Sequence, residues 1–395
     1  MTPCDHAPAH IRAIAPYQPG KPISELAREM GLDESAIIKL ASNENPLGIS
    51  PKARAAVAAG IDELALYPDG NGYALKSALA ARLGVALNQL VLGNGSNDVL
   101  ELAARALLAP GSSAVYAQHA FAVYPLATQA TGATGIEAPA KDYGHDLAAL
   151  RAALRPDTRI VFIANPNNPT GTLLDNADLY AFLKIVPADV AVVLDEAYGE
   201  FLEPAQRAPS IAWLAEFPNL IVSRTFSKAY GLAGLRVGYA VCHAAMADLI
   251  NRVRQPFNVN SLALLAATAA LSDDAFLAES KRVNDAGMAQ LTAGFRQLGL
   301  DSIPSAGNFV CVRVGDAARV NRELLQRGII VRPVGNYGLP EHLRVSIGLP
   351  EQNARFLVVL GEILTCHSRE SGNPVRTSDQ PDNLDSRVRG NDAQT

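Results

Sequence analysis

Lys228 is the residue of this sequence best placed for covalent chemistry. It follows the apolar run Leu220–Val222 and lies in the segment TFSKAYGLAGLRVGY, with hydroxyl groups at Thr225 and Ser227 and a guanidinium at Arg236. A lysine amine can form a Schiff base with an aldehyde, and hydroxyls with an arginine can bind a phosphate. The segment therefore indicates a lysine tethered to a phosphorylated aldehyde. A strand-end lysine that points into water is the alternative.

A second segment, LDEAYGEF, places a carboxylate where a buried strand is expected to end. Asp195 follows the apolar run AVVL, and a buried carboxylate is costly unless it is paired. Tyr198 lies three residues further on, so both side chains can face one ligand if a helical turn begins there. An aspartate opposite a pyridine nitrogen keeps that nitrogen protonated, and the ring then accepts electrons from a substrate carbanion. Asp195 as a helix N-cap is the competing interpretation.

Turn segments at two other strand ends supply groups for anions. GNGSND, Gly93–Asp98, leaves backbone N–H groups free at a helix N-terminus, which suits a phosphate. It lacks the third glycine of GxGxxG and the GK[ST] of a P-loop, which disfavours nicotinamide and ATP. NPNNPTG, Asn165–Gly171, follows IVFIA, and the amide of Asn168 can donate to an anionic ring oxygen. A helix cap at Ser96 and an ordinary Asn-Pro turn are the alternatives.

These segments follow predicted strands that alternate with predicted helices. The alternation predicts an α/β fold with a mainly parallel sheet, and such sheets bind ligands at the carboxyl ends of their strands. The predicted strands of this part are Gln89–Leu92, Ser113–Tyr116, Arg159–Ala164, Val190–Leu194, Leu220–Ser223 and Val237–Cys242, and the predicted helices are Ser96–Leu108 and Ser261–Leu271.

A change of pattern near Asp273 predicts a second, smaller α/β domain. Its predicted strands are Phe309–Val314, Ile329–Val331 and His342–Ile347, and its predicted helices include Ala317–Arg327 and Glu351–Leu364. We therefore predict a large domain over 41–272 and a small domain over 273–365. Residues 366–395 contain few large apolar side chains and cannot offset the entropy of ordering, so we predict a disordered tail.

The composition restricts the class of protein. The 395 residues are 49% hydrophobic, enough for a large core, while a net charge of −5 and a pI near 5.8 argue against nucleic acid as a partner. Neither a membrane-spanning run nor a secretory signal is recognisable. The four cysteines form no CxxC and the seven histidines no metal-ligand spacing. We expect a cytoplasmic enzyme without a metal or a membrane partner.

The blocks occur in the order phosphate turn, asparagine, aspartate–tyrosine, lysine and arginine. In this order the chain resembles the fold-type I pyridoxal-phosphate aminotransferases, and within them the histidinol-phosphate aminotransferases. The resemblance extends from about Tyr17 to Leu364 and includes LASNENPLG, LYPDGNGYALKSALA, SAGNFV and HLRVSIG. It implies pyridoxal 5'-phosphate as cofactor, and it implies that residues 1–40 pack with the small domain.

The resemblance also implies roles for individual residues. Lys228 is expected to bind the aldehyde and to move the proton of the substrate α-carbon, with Asp195 paired to the pyridine nitrogen. Residues expected at the ring oxygen are Asn168 and Tyr198. Those expected at the phosphate are Gly95, Ser96, Asn97, Thr225, Ser227 and Arg236, with Tyr67 from the other subunit of a homodimer. Arg344 is expected to bind the carboxylate of glutamate, and Tyr17, Asn43 and Arg332 the amino donor or the substrate phosphate.

One position departs from the pattern of the family. Where relatives often have a tyrosine that stacks on the pyridine ring, this chain reads QHAFAVY, so Phe121 is expected to stack instead. Stacking requires only an aromatic face, and Tyr124 is the alternative.

The resulting hypothesis is a ping-pong transamination that links L-glutamate and 2-oxoglutarate to histidinol phosphate and imidazole-acetol phosphate in histidine biosynthesis. Two related activities remain open, an aromatic amino-acid aminotransferase and a threonine-phosphate decarboxylase. A cofactor-binding regulator of transcription is a further alternative, which the acidic balance of charge disfavours.

Overall fold

The computed structural model describes residues 2–370 of the chain. The final helix, Pro350–Glu370, continues five residues into the segment 366–395 for which the sequence predicts disorder. The rest of that predicted tail, 371–395, lies outside the described residues.

The strands in chain order are β1 Ile38–Lys39, β2 Leu90–Gly93, β3 Ser113–Ala117, β4 Thr134–Ala138, β5 Ala140–Lys141, β6 Gly144–His145, β7 Thr158–Ala164, β8 Ala191–Asp195, β9 Leu220–Thr225, β10 Gly238–Cys242, β11 Ser302–Ile303, β12 Phe309–Arg313, β13 Ile329–Ile330, β14 Arg332–Val334 and β15 Leu339–Ser346. The helices are α1 Ala9–Arg12, α2 Ile23–Met30, α3 Pro51–Ala59, α4 Tyr73–Leu83, α5 Ser96–Leu107, α6 Val123–Ala130, α7 Leu147–Ala152, α8 Asn176–Ile185, α9 Ser210–Trp213, α10 Ala244–Arg252, α11 Ser261–Ala270, α12 Asp274–Gln297, α13 Ala317–Gln326 and α14 Pro350–Glu370.

The large sheet has the strand order β2-β10-β9-β8-β7-β3-β4. Neighbouring strands from β9 through β8, β7 and β3 to β4 are parallel, whereas β10 is antiparallel to both β9 and β2. The predicted mainly parallel α/β sheet is therefore confirmed. Parallel order brings the carboxyl ends of β7, β8 and β9 to one edge, which is where their following loops can form one site.

Both faces of this sheet are buried, as the continuous apolar runs in its strands require. Along β8, Val192 and Leu194 pack into the core on one side and Ala191 and Val193 into the core on the other. Side chains of a strand alternate between the two faces, so these four residues anchor the strand from both sides. Asp195, the next residue, is held where the strand ends.

The second sheet has the order β11-β12-β15-β14, with antiparallel neighbours. Its core contains Val310, Val312, Leu343 and Val345 together with Phe356 of α14. The strand β1 pairs in parallel with β13, so the N-terminal segment is joined by backbone hydrogen bonds to this part of the chain. The domain boundaries at 40/41 and 272/273 stay a prediction.

The strand predicted at Ile329–Val331 is wrong in its extent. The structure divides this region into β13, which pairs with β1, and β14, which pairs with β15 and contains Pro333. A proline in the sequence argues against a strand, so the periodicity did not reveal β14. The structure tolerates Pro333 because β14 is an edge strand, where the missing N–H donor is not needed for pairing. The edge strand β4 was not predicted, because its TGIEA sequence is mostly exposed.

Within residues 2–370, no single helix is both long and apolar enough to cross a bilayer. The helices α11 and α12 meet these criteria only when they are taken together, and they meet at 82°.

We expect the loop that carries Lys228 to need glycine at position 231 for its backbone conformation. The φ of Gly231 is +71°, and a Cβ atom there would overlap the backbone carbonyl of Gly48. Gly231→Ala should lower the free energy of unfolding by about 2–4 kcal/mol, because it combines backbone strain with overlap. Gly234→Ala, in the same loop and with no atom within 4 Å of the added Cβ, is the matched control and should change it by less than about 1 kcal/mol. Equal urea midpoints for the two variants would contradict this account.

Candidate active site

The polar segments singled out in the sequence converge on one pocket at the carboxyl edge of the large sheet. The predicted residues that line it are Tyr17, Asn43, Ser96, Asn97, Phe121, Asn168, Asp195, Tyr198, Thr225, Ser227, Lys228, Arg236, Arg332 and Arg344. They come from the N-terminal segment, from the ends of β8 and β9, from the segments that follow β3, β7, β8 and β9, from the start of α5, and from β14 and β15 of the second sheet. The pocket therefore lies between the two sheets.

The two remaining predicted residues are placed differently. Gly95 precedes α5 with φ +85°, and a Cβ atom there would collide with the guanidinium of Arg236. Gly95 therefore lies beside Arg236, which lines the pocket, and does not line the pocket itself. Tyr67 is 84% exposed and stacks on Phe257, with ring centroids 4.9 Å apart, so it does not reach the pocket of its own chain.

Asp195 lies at the end of β8, where it pairs with Ala164 of β7 and Ser223 of β9. Only 5% of the residue is exposed. Its Oδ2 accepts a hydrogen bond from the hydroxyl of Tyr124 at 3.0 Å, whereas Oδ1 has no partner among the described residues. Burial raises the pKa of the carboxyl to about 6, against the lowering effect of the Tyr124 hydroxyl. The site thus contains a costly acceptor that a cationic donor on a ligand can satisfy.

Lys228 lies in the turn that follows β9. The backbone N–H of Gly231 donates to the Lys228 carbonyl at 3.0 Å, and that of Leu232 to the carbonyl of Phe226. The ammonium group donates to the Ser42 carbonyl at 3.2 Å and lies 5.8 Å from the centre of the Tyr198 ring. Burial, and then the positive charge of Arg344, lower the pKa of the amine to about 8. A lysine amine of this basicity is available as a nucleophile and a base near neutral pH.

The hydroxyl of Tyr198 is fixed by the N-terminal segment. It accepts a hydrogen bond from Asn43 Nδ2 at 2.9 Å, and the Oδ1 of Asn43 accepts one from the hydroxyl of Ser346. Asn308 donates in turn to the Asn43 carbonyl. Asn43 has φ +54°, a conformation that asparagine tolerates better than most residues. Its amide therefore orients Tyr198, whose own proton stays available for a ligand.

Arg344 connects the second sheet to the loop after β7. One of its terminal nitrogens donates to Asn168 Oδ1 at 2.6 Å and the other to the Ala41 carbonyl at 2.7 Å, while Nε has no partner within the described part of the chain. The bond to Asn168 occupies the acceptor of that amide. Its Nδ2 is left as the donor, as the sequence predicted for an anionic oxygen.

The opposite end of the pocket suits a phosphate. The helix α5 begins at Ser96, and its first N–H groups attract anions. Arg236, at φ +58°, donates to the Ser227 hydroxyl at 3.5 Å, and the Thr225 hydroxyl accepts from the backbone of Ser227 at 3.1 Å. A guanidinium, hydroxyls and a helix N-terminus are combined here.

The arrangement fits pyridoxal phosphate, the cofactor that the resemblance implies. The unpartnered Oδ1 of Asp195 matches a protonated ring nitrogen, and the Lys228 amine matches an aldehyde. For the ring face, the structure favours Phe121. Tyr124 is fully buried and already stacked on Phe162, with centroids 4.8 Å apart.

Several groups of the site could not be predicted from the sequence. The Ser42 and Ala41 carbonyls bind Lys228 and Arg344 through backbone atoms, which carry no residue signature. Tyr337 lines the pocket from a 3-10 helix of only three residues, Gly335–Tyr337, which is too short to show a periodic pattern. The bond from Tyr124 to Asp195 follows from the packing of α6 on the sheet, which a single sequence does not specify.

Comparison with known proteins identifies the family of the chain. The family described as aminotransferase class I and II matches residues 35–360. The chain belongs to this family. It is 66% identical over 369 residues to histidinol-phosphate aminotransferase 1 of Thiobacillus denitrificans, an alignment that covers 92% of this chain and 96% of the relative. It is 62% identical over 364 residues to histidinol-phosphate aminotransferase 1 of Dechloromonas aromatica, with 92% and 100% covered.

A solved structure of similar architecture is the histidinol-phosphate aminotransferase of Sinorhizobium meliloti in complex with pyridoxal-5'-phosphate. The TM-score is 0.84 at 28% identity, with 91% of this chain and 97% of that chain covered. A double mutant of Thermus thermophilus aspartate aminotransferase has a TM-score of 0.78 at 21% identity, with 90% of this chain and 98% of that chain covered, which supports the fold alone. This aminotransferase therefore has the predicted type I fold.

Removal of the Asp195 charge should stabilise the cofactor-free protein. The folded state binds this proton with a pKa of about 6 and the unfolded chain with one near 3.8, so the wild type loses stability as the pH rises between these values. Asp195→Asn should raise the free energy of unfolding by up to about 3 kcal/mol at pH 8 and by little at pH 4. Urea unfolding across this range measures the difference.

The control for this prediction is Asp301→Asn, since Asp301 is exposed. It should leave the pH dependence of unfolding unchanged. If Asp195→Asn lowered the stability at pH 8, the buried carboxylate would be shown to stabilise the fold, contrary to this account.

Proposed function

We propose that this protein transfers the amino group of L-glutamate to imidazole-acetol phosphate, which yields 2-oxoglutarate and histidinol phosphate in histidine biosynthesis. The observation that carries the proposal is the pairing, in one pocket, of the open Asp195 carboxylate with the Lys228 amine and arginines for substrate anions. The assignment of the substrate is supported by relatives that are named histidinol-phosphate aminotransferase and are 61–66% identical over most of the chain.

Pyridoxal phosphate, when bound, supplies an electron sink for the negative charge that develops at the substrate α-carbon. Asp195 would hold the pyridine nitrogen in its protonated form, and Phe121 would pack on the ring. Asn168 and Tyr198 would donate to the ring oxygen. The residues that would hold the phosphate are Gly95, Ser96, Asn97, Thr225, Ser227 and Arg236.

Lys228 carries the proton at the reacting atom. With a pKa of about 8, its amine is partly unprotonated at neutral pH and can take a proton from the substrate α-carbon and return it. The Ser42 carbonyl accepts a hydrogen bond from the amine and keeps it over the Tyr198 ring. The two half-reactions share this pocket, so 2-oxoglutarate leaves before the second substrate enters.

The two substrates differ in their anions, and the arginines accommodate both. Arg344 is buried and fixed by Asn168 and the Ala41 carbonyl, which suits the carboxylate of glutamate. Arg332 lies nearer the opening, where it is bound to the Gln18 carbonyl and lies 5.7 Å from the Tyr17 ring. With Asn43 and Tyr17, Arg332 forms the second anion site. A guanidinium binds a carboxylate or a phosphate with the same paired donors.

The active unit is proposed to be a homodimer in which Tyr67 completes the phosphate site of the other subunit. Its support is a group of exposed apolar side chains, which we call the patch: Tyr67 stacks on Phe257, Leu64 and Leu66 precede Tyr67 closely in the sequence, and Ile61, Tyr73 and Leu265 are exposed as well. Several large apolar side chains exposed together typically mark an interface. A cytoplasmic location is part of the same proposal, supported by Cys242 and Cys311, which are buried as free thiols.

Substrate preference tests the proposed activity. We expect kcat/KM for histidinol phosphate to exceed those for phenylalanine and threonine phosphate by at least about 100-fold, because a site built to bind a phosphate rejects analogues that lack it or misplace it. Steady-state kinetics with 2-oxoglutarate as acceptor measure the ratio.

Lys228→Ala is the negative control and should show no turnover, whereas Lys184→Ala, at an exposed lysine, should be fully active. A preference for phenylalanine would favour the aromatic aminotransferase instead. Release of carbon dioxide from threonine phosphate would favour the decarboxylase.

The shared site predicts complementation between inactive variants. We expect Tyr67→Ala and Lys228→Ala to be impaired separately, and their mixed dimer to recover one intact site from Lys228 of one chain and Tyr67 of the other. Denaturing and refolding the two variants together should therefore restore activity, up to about one quarter of the wild-type value for random pairing.

Val358→Glu serves as a comparison for the interface, since Val358 is 62% exposed but lies on α14, and Leu66→Glu alters a residue of the patch that is 70% exposed. Only Leu66→Glu should yield monomers in sedimentation. A mixture of Tyr67→Ala and Lys228→Ala that stays inactive, although mixed dimers have formed, would refute the shared site.

A further inference from the structure

We propose that Tyr124 is a positioning residue whose hydroxyl holds the Asp195 carboxylate with one oxygen bound and the other open to the pyridine nitrogen. The inference rests on the role proposed for Asp195 and assigns a function to a side chain that is not itself proposed to contact the substrate. It follows from the different environments of the two carboxylate oxygens.

The hydroxyl of Tyr124 donates to Asp195 Oδ2 at 3.0 Å, in a place where neither residue has more than slight contact with solvent. Oδ1 lacks a hydrogen-bond partner in the portion of the chain that the structure describes. A carboxylate free to rotate could present either oxygen to the ring. The bond to Oδ2 removes this freedom and leaves Oδ1 for the cofactor.

Tyr124 itself has little freedom to move. Its ring lies parallel to that of Phe162 on β7, at 7° and 4.8 Å between centroids, and Phe162 is fully buried. The backbone N–H of Tyr124 donates to the Phe121 carbonyl, and the hydroxyl of Thr128 donates to the Tyr124 carbonyl. Since β7 and β8 are adjacent, the hydroxyl is fixed relative to the strand that ends at Asp195.

The same bond favours the charged form of Asp195. Burial raises the pKa of the carboxyl, as does the negative charge of Glu196. The Tyr124 hydroxyl lowers it most, followed by the backbone N–H of Ala197 and the positive charge of Lys228. The phenol of Tyr198 also faces this group. Without the Tyr124 hydroxyl, the carboxyl competes more strongly for the proton that it shares with the pyridine nitrogen.

A purely structural explanation is that a buried tyrosine needs some acceptor for its hydroxyl. The two explanations differ in what the cofactor experiences. If Tyr124 only satisfies its own hydroxyl, its loss alters stability alone. If it positions Asp195, its loss alters the protonation of the pyridine nitrogen.

The test is Tyr124→Phe in the holoenzyme, since phenylalanine retains the stacking on Phe162. With pyridoxal phosphate labelled with ¹⁵N, the nitrogen resonance should move towards that of neutral pyridine. The dissociation constant of the cofactor should rise about tenfold, as loss of a hydrogen bond to a charged group predicts. We expect kcat to fall and KM to change by less than about twofold, because the interaction matters most when charge develops on the ring.

Tyr180→Phe is the matched control, because it removes another tyrosine–carboxylate hydrogen bond, 2.6 Å to Glu216 and outside the pocket. It should leave the resonance and the dissociation constant unchanged. In an Asp195→Asn background, Tyr124→Phe should have no further effect on either quantity.

The possible failures are distinct. If Asp195→Asn itself leaves the resonance and cofactor affinity unchanged, the role proposed for Asp195 is wrong. If Asp195→Asn changes both quantities but Tyr124→Phe behaves like Tyr180→Phe, the role of Asp195 stands and Tyr124 has only a structural role.

Discussion

The site depends on a carboxylate held in a place where water cannot solvate it. Asp195 ends a strand whose preceding residues are buried on both faces, so the chain cannot move its charge to the surface without disrupting the sheet. The cost of that burial is offset only in part by Tyr124, the backbone N–H of Ala197 and Lys228. The fold thereby retains an unsatisfied acceptor, and a cationic ring nitrogen is the ligand group that is proposed to satisfy it.

The N-terminal segment explains how two sheets form one pocket. Leu40 donates to the Ile330 carbonyl and accepts from Ser346, so the segment is fixed to the second sheet. Its next residues then bind groups of the site: Ala41 binds Arg344, Ser42 binds Lys228 and Asn43 binds Tyr198. A short extended stretch therefore sets the distance between the reactive lysine and the arginine expected to hold the substrate.

The sequence was most informative where a side chain follows an apolar strand. Lys228, Asp195 and Asn168 could be found because strand ends in a parallel sheet converge, whatever the details of packing. The split of the strand predicted at Ile329–Val331 depends on pairing between distant segments, which local periodicity does not encode. The bonds to the Ser42 carbonyl and from Tyr124 likewise depend on tertiary approach, so residue types alone could not reveal them.

The order of the pocket residues along the chain has a consequence for biosynthesis. Asn43 and Arg344 are far apart in the sequence, and residues from much of the intervening sequence line the same pocket. During translation the loop that carries Lys228 leaves the ribosome more than a hundred residues before Arg344 does. A nascent chain released as far as Cys242 contains every strand of the large sheet but still lacks the guanidinium that is proposed to bind the amino donor. The large sheet can therefore form before the proposed donor site is complete.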